Sequence, residues 1–291
     1  MNVIWSSFVQ GTNTLYFSRR LRFHDCFAEQ YKSFFKLDGD KPLKILEIGC
    51  GPGALAGALH RWYPNAEITA IDRDSEFIRF AKENEGGINF LEGDATALPF
   101  PDNTFDITIS NTVSEHIEPS KFYGEQMRVL KSGGVCLNLS SRKGICTTPD
   151  CLLESELEQN FWKEMSQYDD TFEKYSICKY PMNESKLFRE MSDRGFQSVT
   201  TAYATIDLTP DDPKFPREMA REMINSLRYD SLDSLKSVKL SMPERVSDDI
   251  IAEIEKAVNL RYDARIRDLE SEIKHFETNL SIIMMIRGVK P

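Results

Sequence analysis

The sequence predicts an α/β fold built around a mostly parallel sheet, and three observations carry that expectation. Between residues 43 and 140, short apolar runs alternate with helical stretches, the pattern of successive βαβ units. The first of these runs, Ile45-Leu46-Glu47-Ile48, opens directly into the glycine turn Gly49-Cys50-Gly51-Pro52-Gly53 and then into a helical stretch. The runs are also nearly continuously apolar, as strands buried on both faces must be.

Each element follows in order. Residues 1–42 form an aromatic-rich, partly helical approach segment, broken by Asp38-Gly39-Asp40-Lys41-Pro42. Strands are expected at 43–48, 67–71, 88–92 and 105–110, with helices at 54–63, 75–84 and 120–130. Gly133-Gly134 turns the chain into a fifth strand at 135–140. Regularity then stops: 142–184 is polar and mixed, with Pro149 and Pro181 and no clear strand. A helix at 184–194 closes at Gly195. A sixth strand at 196–208, a helical and charged stretch at 209–278 and a last strand at 279–288 complete the chain.

The second half of that stretch holds a long helix. Ser247 is its expected N-cap, with Asp248 and Asp249 in the first turn near the positive end of the helix dipole. Ile250, Ile254, Val258, Tyr262, Ile266, Leu269, Ile273 and Phe276 then recur every three or four residues. They form one apolar stripe on a helix of roughly 30 residues, ~45 Å long. The stripe predicts a cap helix packed on its own domain. The same stripe could instead pair two copies as a homodimer through helix 247–277. The organisation expected is an N-terminal cap segment over 1–42 and one domain over 43–291, with cap insertions at about 142–184 and 209–278.

Composition narrows the function classes. Of 291 residues, 41% are hydrophobic and 28% charged, close to globular averages. Acids outnumber bases 46 to 36, for a net charge of −10, which disfavours nucleic acid as a partner because phosphate binding needs clustered Lys and Arg. The six cysteines, at 26, 50, 136, 146, 151 and 178, include no C-x-x-C pair. The first 35 residues mix aromatics with Arg19, Arg20, Arg22 and Asp25 and lack the apolar core of a signal peptide. Reduced thiols and a cytoplasmic location follow as expectations. Cys146, Cys151 and Cys178 share the first insertion but show no ligand spacing, so no metal is expected. No apolar run approaches the ~20 residues that span a bilayer.

The densest chemistry is the glycine turn. Glycines there let a ligand approach the main chain closely, and the following helix presents unpaired N–H groups. With Ala54 the turn also spells G-x-G-x-x-A, a pattern that dinucleotide-binding folds share. Asp72 closes the second strand, where a carboxylate can accept both ribose hydroxyls or cap the next helix. Asp94 follows the third strand, where a carboxylate can accept from an adenine amino group or form an Asx-type turn after Gly93.

Taken together, LEIGCGPG, the Asp72 strand end, GDATALPFPDNTFD, SNTVSEHI and RVLKSGGVCLN strongly resemble the class I S-adenosylmethionine-dependent methyltransferases. The likeness is greatest to the group that includes the ubiquinone/menaquinone-biosynthesis enzymes with a "type 11" methyltransferase domain. It covers roughly residues 43–140. It implies a Rossmann-like seven-stranded sheet in the order 3-2-1-4-5-7-6, the last strand antiparallel, with helical cap insertions. It also implies S-adenosylmethionine as cofactor. Glu47, Gly49, Gly51 and Gly53 would surround the methionine part, Asp72 would hold the ribose and Arg73 would lie near the adenine face. Asp94 and Ala95 would read the adenine edge, and Asn111 would contact the region of the methionine amine.

The remaining candidates are less determined. Tyr16 and Arg20, in YFSRRLRF, are candidates to reach the cofactor, an arginine clamping its carboxylate. Trp5, Phe8 and Phe23 could form an aromatic wall or simply core. Glu115 and His116 follow the fourth strand near the expected methyl position, and His116 could act as a base or as a structural residue. Ser110-Asn111-Thr112-Val113 stands where amino-group nucleic-acid methyltransferases carry Asn/Asp-Pro-Pro-Tyr. The expected reaction is therefore in-line methyl transfer to a small-molecule acceptor. The alternatives are an NAD-type oxidoreductase and a non-catalytic S-adenosylmethionine-binding or regulatory protein. In open α/β sheets ligands sit beyond the carboxyl ends of the strands, so both insertions and the N-terminal segment are expected to build the substrate chamber.

Overall fold

The structure, a computed structural model, describes residues 4–275 and 277–291. Its strands are β1 (Lys44–Ile48), β2 (Glu67–Asp72), β3 (Asn89–Glu92), β4 (Phe105–Asn111), β5 (Leu130–Cys146), β6 (Gln197–Asp207) and β7 (Asn279–Val289). They form one sheet in the order β3-β2-β1-β4-β5-β7-β6. β1 to β5 are parallel, and β7 runs antiparallel to both of its neighbours. The chain winds outward from β1 through β2 to β3 and returns to β4 on the other side of β1. That switch opens a crevice at the carboxyl ends of β1 and β4.

The helices are α1 (Thr12–Arg22), α2 (Ala28–Phe35), α3 (Ala54–Trp62), α4 (Ser75–Asn84), α5 (Pro119–Val129), α6 (Glu156–Met165), α7 (Thr171–Lys174), α8 (Glu184–Asp193), α9 (Arg217–Ser241) and α10 (Asp248–Glu270). Strand side chains alternate between the two faces of the sheet, as a period of two requires. Ile45, Ile68, Ile107, Ile109 and Leu137 pack with Leu59 and Trp62 of α3 and Tyr31 and Phe35 of α2. Leu46, Ile48, Ile71 and Ile286 pack on the other face with Phe122 and Tyr123 of α5 and Leu187 and Met191 of α8.

Three boundaries depart from the sequence reading. β5 starts at Leu130 rather than 135, pairing Leu130 with Phe105, so Gly133 and Gly134 lie inside the strand and not in a turn before it. β5 does not end at residue 140. It continues to Cys146, pairing Arg142 with Ile282, Ile145 with Leu280 and Cys146 with Asn279. The polar run after Ser140 carries no apolar signal; here the antiparallel ladder offered by β7 decides the conformation, so the first insertion begins after Cys146. The long helix is capped by the Ser247 side chain, which accepts from the Ile250 N–H, but it ends at Glu270 rather than 277. Glu272 sits in the left-handed region (φ 62°). Ile273 N–H donates to the Asp268 carbonyl at 2.9 Å and Glu272 N–H to the Leu269 carbonyl at 3.3 Å, a Schellman closure. A glutamate at the position glycine usually fills hid this stop.

The apolar stripe of α10 turns inward. Ile254, Val258 and Tyr262 are buried with Phe161 and Met165 of α6 and Ile224 and Leu235 of α9, and Ile250, Ile266 and Leu269 pack against them. The stripe proposed as a homodimer seam over 247–277 is thus consumed within the chain, each fully buried side chain contributing on the order of 1.5–3 kcal/mol. Ile273 falls beyond the helix and is exposed, and Phe276 lies outside the described residues. The same cap holds the N-terminal segment. Asp233 of α9 accepts from Thr14 N–H at 3.0 Å and Thr14 Oγ1 at 2.9 Å, capping α1, whose own N-cap residue, Gly11, has no side chain. Among the described residues no helix is long and apolar enough to cross a membrane, and all six cysteines are free thiols.

Candidate active site

A cavity of about 620 Å³ lies over the strand ends, lined by Gly49, Gly51, Asp72, Asn111 and residues of the cap. The glycine turn forms its floor. Gly51 has φ 53°, and a Cβ there would meet nothing within 4 Å, so a left-handed backbone faces open space that a ligand could fill. Gly51 N–H donates to Asp72 Oδ2 at 2.8 Å, and Asp74 N–H donates to Asp72 Oδ1 at 2.9 Å. Burial, opposed by these two hydrogen bonds, holds the Asp72 carboxyl above its ordinary range. Asp74, not Asp72, caps α4. Asp74 also accepts from Ser6 N–H at 2.9 Å and Ser6 Oγ at 3.1 Å. One relay of hydrogen bonds therefore joins the glycine turn to the N-terminal turn Trp5–Val9 that closes over the cavity.

Two buried acceptors on the cavity wall have no partner. Glu47 is 2% exposed; it accepts from the Ala56 N–H, while burial and then the neighbouring Asp72 charge push its carboxyl well above the usual range. Its Oε2 is unsatisfied, as is Asn111 Oδ1. Buried polar atoms are nearly always hydrogen-bonded, so this pair marks a place where a donor belongs. Further along the strand ends, Asp94 Oδ1 accepts from Thr96 N–H and Thr96 Oγ1, both at 2.8 Å. This is the Asx-type turn, made by Oδ1 on a residue that also lines the cavity. Arg73 and Ala95 line the same part of the cavity.

The cap supplies the opposite wall. Leu15, Arg19 and Phe23 line it at i, i+4 and i+8 of one helical face, with Trp5, Val9 and residues 177–180 beside them. Arg19 donates to Thr112 Oγ1 at 3.3 Å. Burial, then the nearby Arg22, lowers its pKa to about 9, which leaves it charged at neutral pH. His116 Nδ1 accepts from the Cys178 N–H at 3.0 Å, and its ring meets Trp5 edge-on at 4.7 Å. A backbone N–H can only donate, so the ring proton of neutral His116 is on Nε2. Burial lowers its pKa below the ordinary value.

A family model described as a methyltransferase domain matches residues 46–138. The matched stretch is about a third of the chain. A fatty-acid O-methyltransferase of Mycolicibacterium smegmatis is 40% identical over 103 residues, 34% of this chain and 37% of that protein. The ubiquinone/menaquinone biosynthesis C-methyltransferase of Desulfotalea psychrophila is 35% identical over 101 residues, 34% of this chain and 41% of that protein. The chain thus matches less than half the length of these relatives. The solved phosphoethanolamine N-methyltransferase 2 of Haemonchus contortus, in complex with S-adenosyl-L-methionine, shares the fold with a TM-score of 0.53 at 17% identity, over 99% of this chain and 59% of that one.

Within the matched stretch, Glu47, Gly49, Gly51, Asp72, Arg73, Asp94, Ala95, Asn111 and His116 all reach the cavity wall. Five expectations need correction. Gly53 does not line the cavity; a Cβ there would lie 3.0 Å from Ala81 Cβ and Phe90 Cζ, so it serves the packing of α3 against α4 and β3. Glu115 is also off the wall. Its carboxylate accepts from Ser114 Oγ at 3.0 Å and its carbonyl from Tyr180 N–H at 2.9 Å. Tyr16 donates to Glu85 Oε1 at 3.0 Å, buried beneath the helix. Arg20, one residue and 100° round the helix from Arg19, faces outward and pairs with Glu222 at 3.5 Å. Arg19 is the arginine that reaches the cavity, and the Leu15/Arg19/Phe23 spacing was the signal for it. Finally, among the described residues the 209–278 stretch contributes nothing to this wall. It borders a second cavity of about 440 Å³, lined by Asp230, Asp233 and Trp162 among others, which shares Val9 and Gln10 with the first.

Proposed function

We propose that the protein binds S-adenosylmethionine in the 620 Å³ cavity and transfers its methyl group to a small, largely apolar acceptor. The observation that carries this reading is the pair of buried, unpartnered acceptors, Glu47 Oε2 and Asn111 Oδ1, on the wall. A cationic ammonium donor suits them, and the methionine portion of the cofactor carries one. Gly49 and Gly51 would admit that portion against the main chain. Asp72 would accept from the ribose, and Asp94 with Ala95 would meet the adenine edge beside Arg73. When bound, the cofactor supplies an activated methyl group on a sulfonium leaving group.

The chain's own contribution is then alignment and exclusion of water. Trp5, Val9, Phe23, Ile177 and Tyr180 offer the acceptor a mainly apolar wall, and the Ser6–Asp74 bonds hold the N-terminal turn across the opening. Because its Nδ1 is occupied, His116 acts as a donor through Nε2 that orients the acceptor, not as the base. The names of the sequence relatives, a fatty-acid O-methyltransferase and a C-methyltransferase of ubiquinone/menaquinone biosynthesis, support an apolar acceptor. The test is incubation with methyl-tritiated S-adenosylmethionine and fractionated small-molecule and lipid extracts. Label in an organic-soluble product is expected. Label confined to nucleic acid or protein would overturn the reading of the acceptor.

A further inference from the structure

Away from the cavity, one cluster brings three different metal-ligating side chains together. Cys151 lies in the short turn Asp150–Leu152 of the first insertion, Asp268 in the last turn of α10, and His275 in the link to β7. One ligand atom from each lies within 4.8 Å of the others, and all three residues are half-buried. Their surroundings carry an excess of negative charge. Buried Arg265 pairs with both Asp211 at 2.9 Å and Glu277 at 3.1 Å. Asp211 also accepts from the His275 N–H at 2.7 Å, and Asp268 is a third carboxylate, 2.8 Å from His275 Nε2.

A cysteine, a histidine and a carboxylate together are also the residue types of a nucleophilic triad. Here the three line neither of the two cavities described above, and a metal ion, unlike an organic substrate, needs no cavity of its own. The donor set of one sulfur, one nitrogen and one oxygen matches zinc, which takes these ligands tetrahedrally at about 2.0–2.3 Å. Oxygen-seeking Mg²⁺ and Ca²⁺ would not choose a thiolate.

We propose that Cys151, Asp268 and His275 form a zinc site that pins the first insertion to the end of α10, with solvent in the fourth position. On binding, the Cys151 thiol proton leaves to solvent as the zinc–sulfur bond forms. An imidazole nitrogen of neutral His275 and a carboxylate oxygen of Asp268 donate without net proton change. The site joins segments more than a hundred residues apart, beside a second tie in which Glu158 of α6 meets Arg261 of α10.

The test is titration of the full chain with zinc against a chromophoric chelator, with Co²⁺ as a spectroscopic probe. One equivalent of zinc, a thiolate-to-Co²⁺ charge-transfer band and a thermal midpoint raised by zinc are expected. Cys151→Ser should abolish the band and weaken zinc by more than the ~10–100-fold that loss of an outer-sphere partner costs. His275→Gln should weaken it comparably. Cys146→Ser and Cys178→Ser should change neither. Substoichiometric zinc in the wild type, or a band that survives Cys151→Ser and disappears with Cys146→Ser or Cys178→Ser, would overturn the proposal.

Discussion

The two walls of the 620 Å³ cavity are built on different principles. The sheet wall comes from consecutive strand ends, within 65 residues of Glu47 to Asn111, and is held by backbone hydrogen bonds to Asp72 and Asp74. The cap wall joins residues 5–23 to residues 177–180, and nothing covalent or sheet-like links them. It rests on side-chain anchors, namely Asp233 under α1, Asp74 under Ser6 and His116 under Cys178. The sheet wall is therefore suited to hold one fixed cofactor, and the cap wall to vary with the acceptor.

The largest expected effect lies outside both walls, in α10, and should cost stability while leaving the cofactor site of the sheet wall intact. Arg265 is fully buried between Asp211 and Glu277, and Arg265→Met leaves two buried carboxylates without their cation. A loss of about 3–5 kcal/mol is expected, read by denaturant unfolding, with cofactor affinity retained in whatever fraction is folded. Next comes Asp72→Ala on the sheet wall. It removes charge-assisted hydrogen bonds worth ~1.5–3 kcal/mol each, so calorimetry should show S-adenosylhomocysteine binding weakened about 100-fold.

Glu47 gives a test with opposite signs. Its carboxyl is raised by burial and by Asp72, so the folded protein holds the proton more tightly than the unfolded chain. That contribution to stability is complete below the ordinary carboxyl range and is lost as pH rises through the folded value. Glu47→Gln should raise the thermal midpoint of the ligand-free protein at neutral pH and flatten its decline with pH, while weakening the cofactor. A variant that lowers both would contradict the role given to the unpartnered oxygen.

Smaller effects belong to the cap wall. A general base is worth ~10²–10⁴-fold, whereas His116→Ala is expected to lower turnover less than about tenfold, with the pH–rate profile unchanged between about pH 5 and 8. Arg20→Gln should change stability by no more than about 0.5 kcal/mol, while Arg19→Gln should alter the KM for the acceptor or cofactor.

The contrast between the walls also explains what the sequence made legible. The glycine turn and the strand ends that carry Asp72, Asp94 and Asn111 were readable because local patterns fix them: a strand end places its last side chains at the crevice whatever surrounds it. The strand order followed from the family resemblance, not from local pattern. Arg19 over Arg20 was readable only through helical phase. The 177–180 segment was not readable at all, since its position depends on long-range bonds such as Cys178 N–H to His116. The same holds for the late end of β5, decided by β7, and for the Schellman stop at Glu272, where the residue type gives no warning.

The measurement that bears most directly on the central claim is calorimetric titration of the wild-type chain with S-adenosylhomocysteine and, separately, with NAD. Saturable one-to-one binding of S-adenosylhomocysteine at micromolar affinity, weakened about 100-fold in Asp72→Ala, with no heat from NAD, is the expected result. NAD binding in its place, or S-adenosylhomocysteine binding that is indifferent to Asp72, would contradict it.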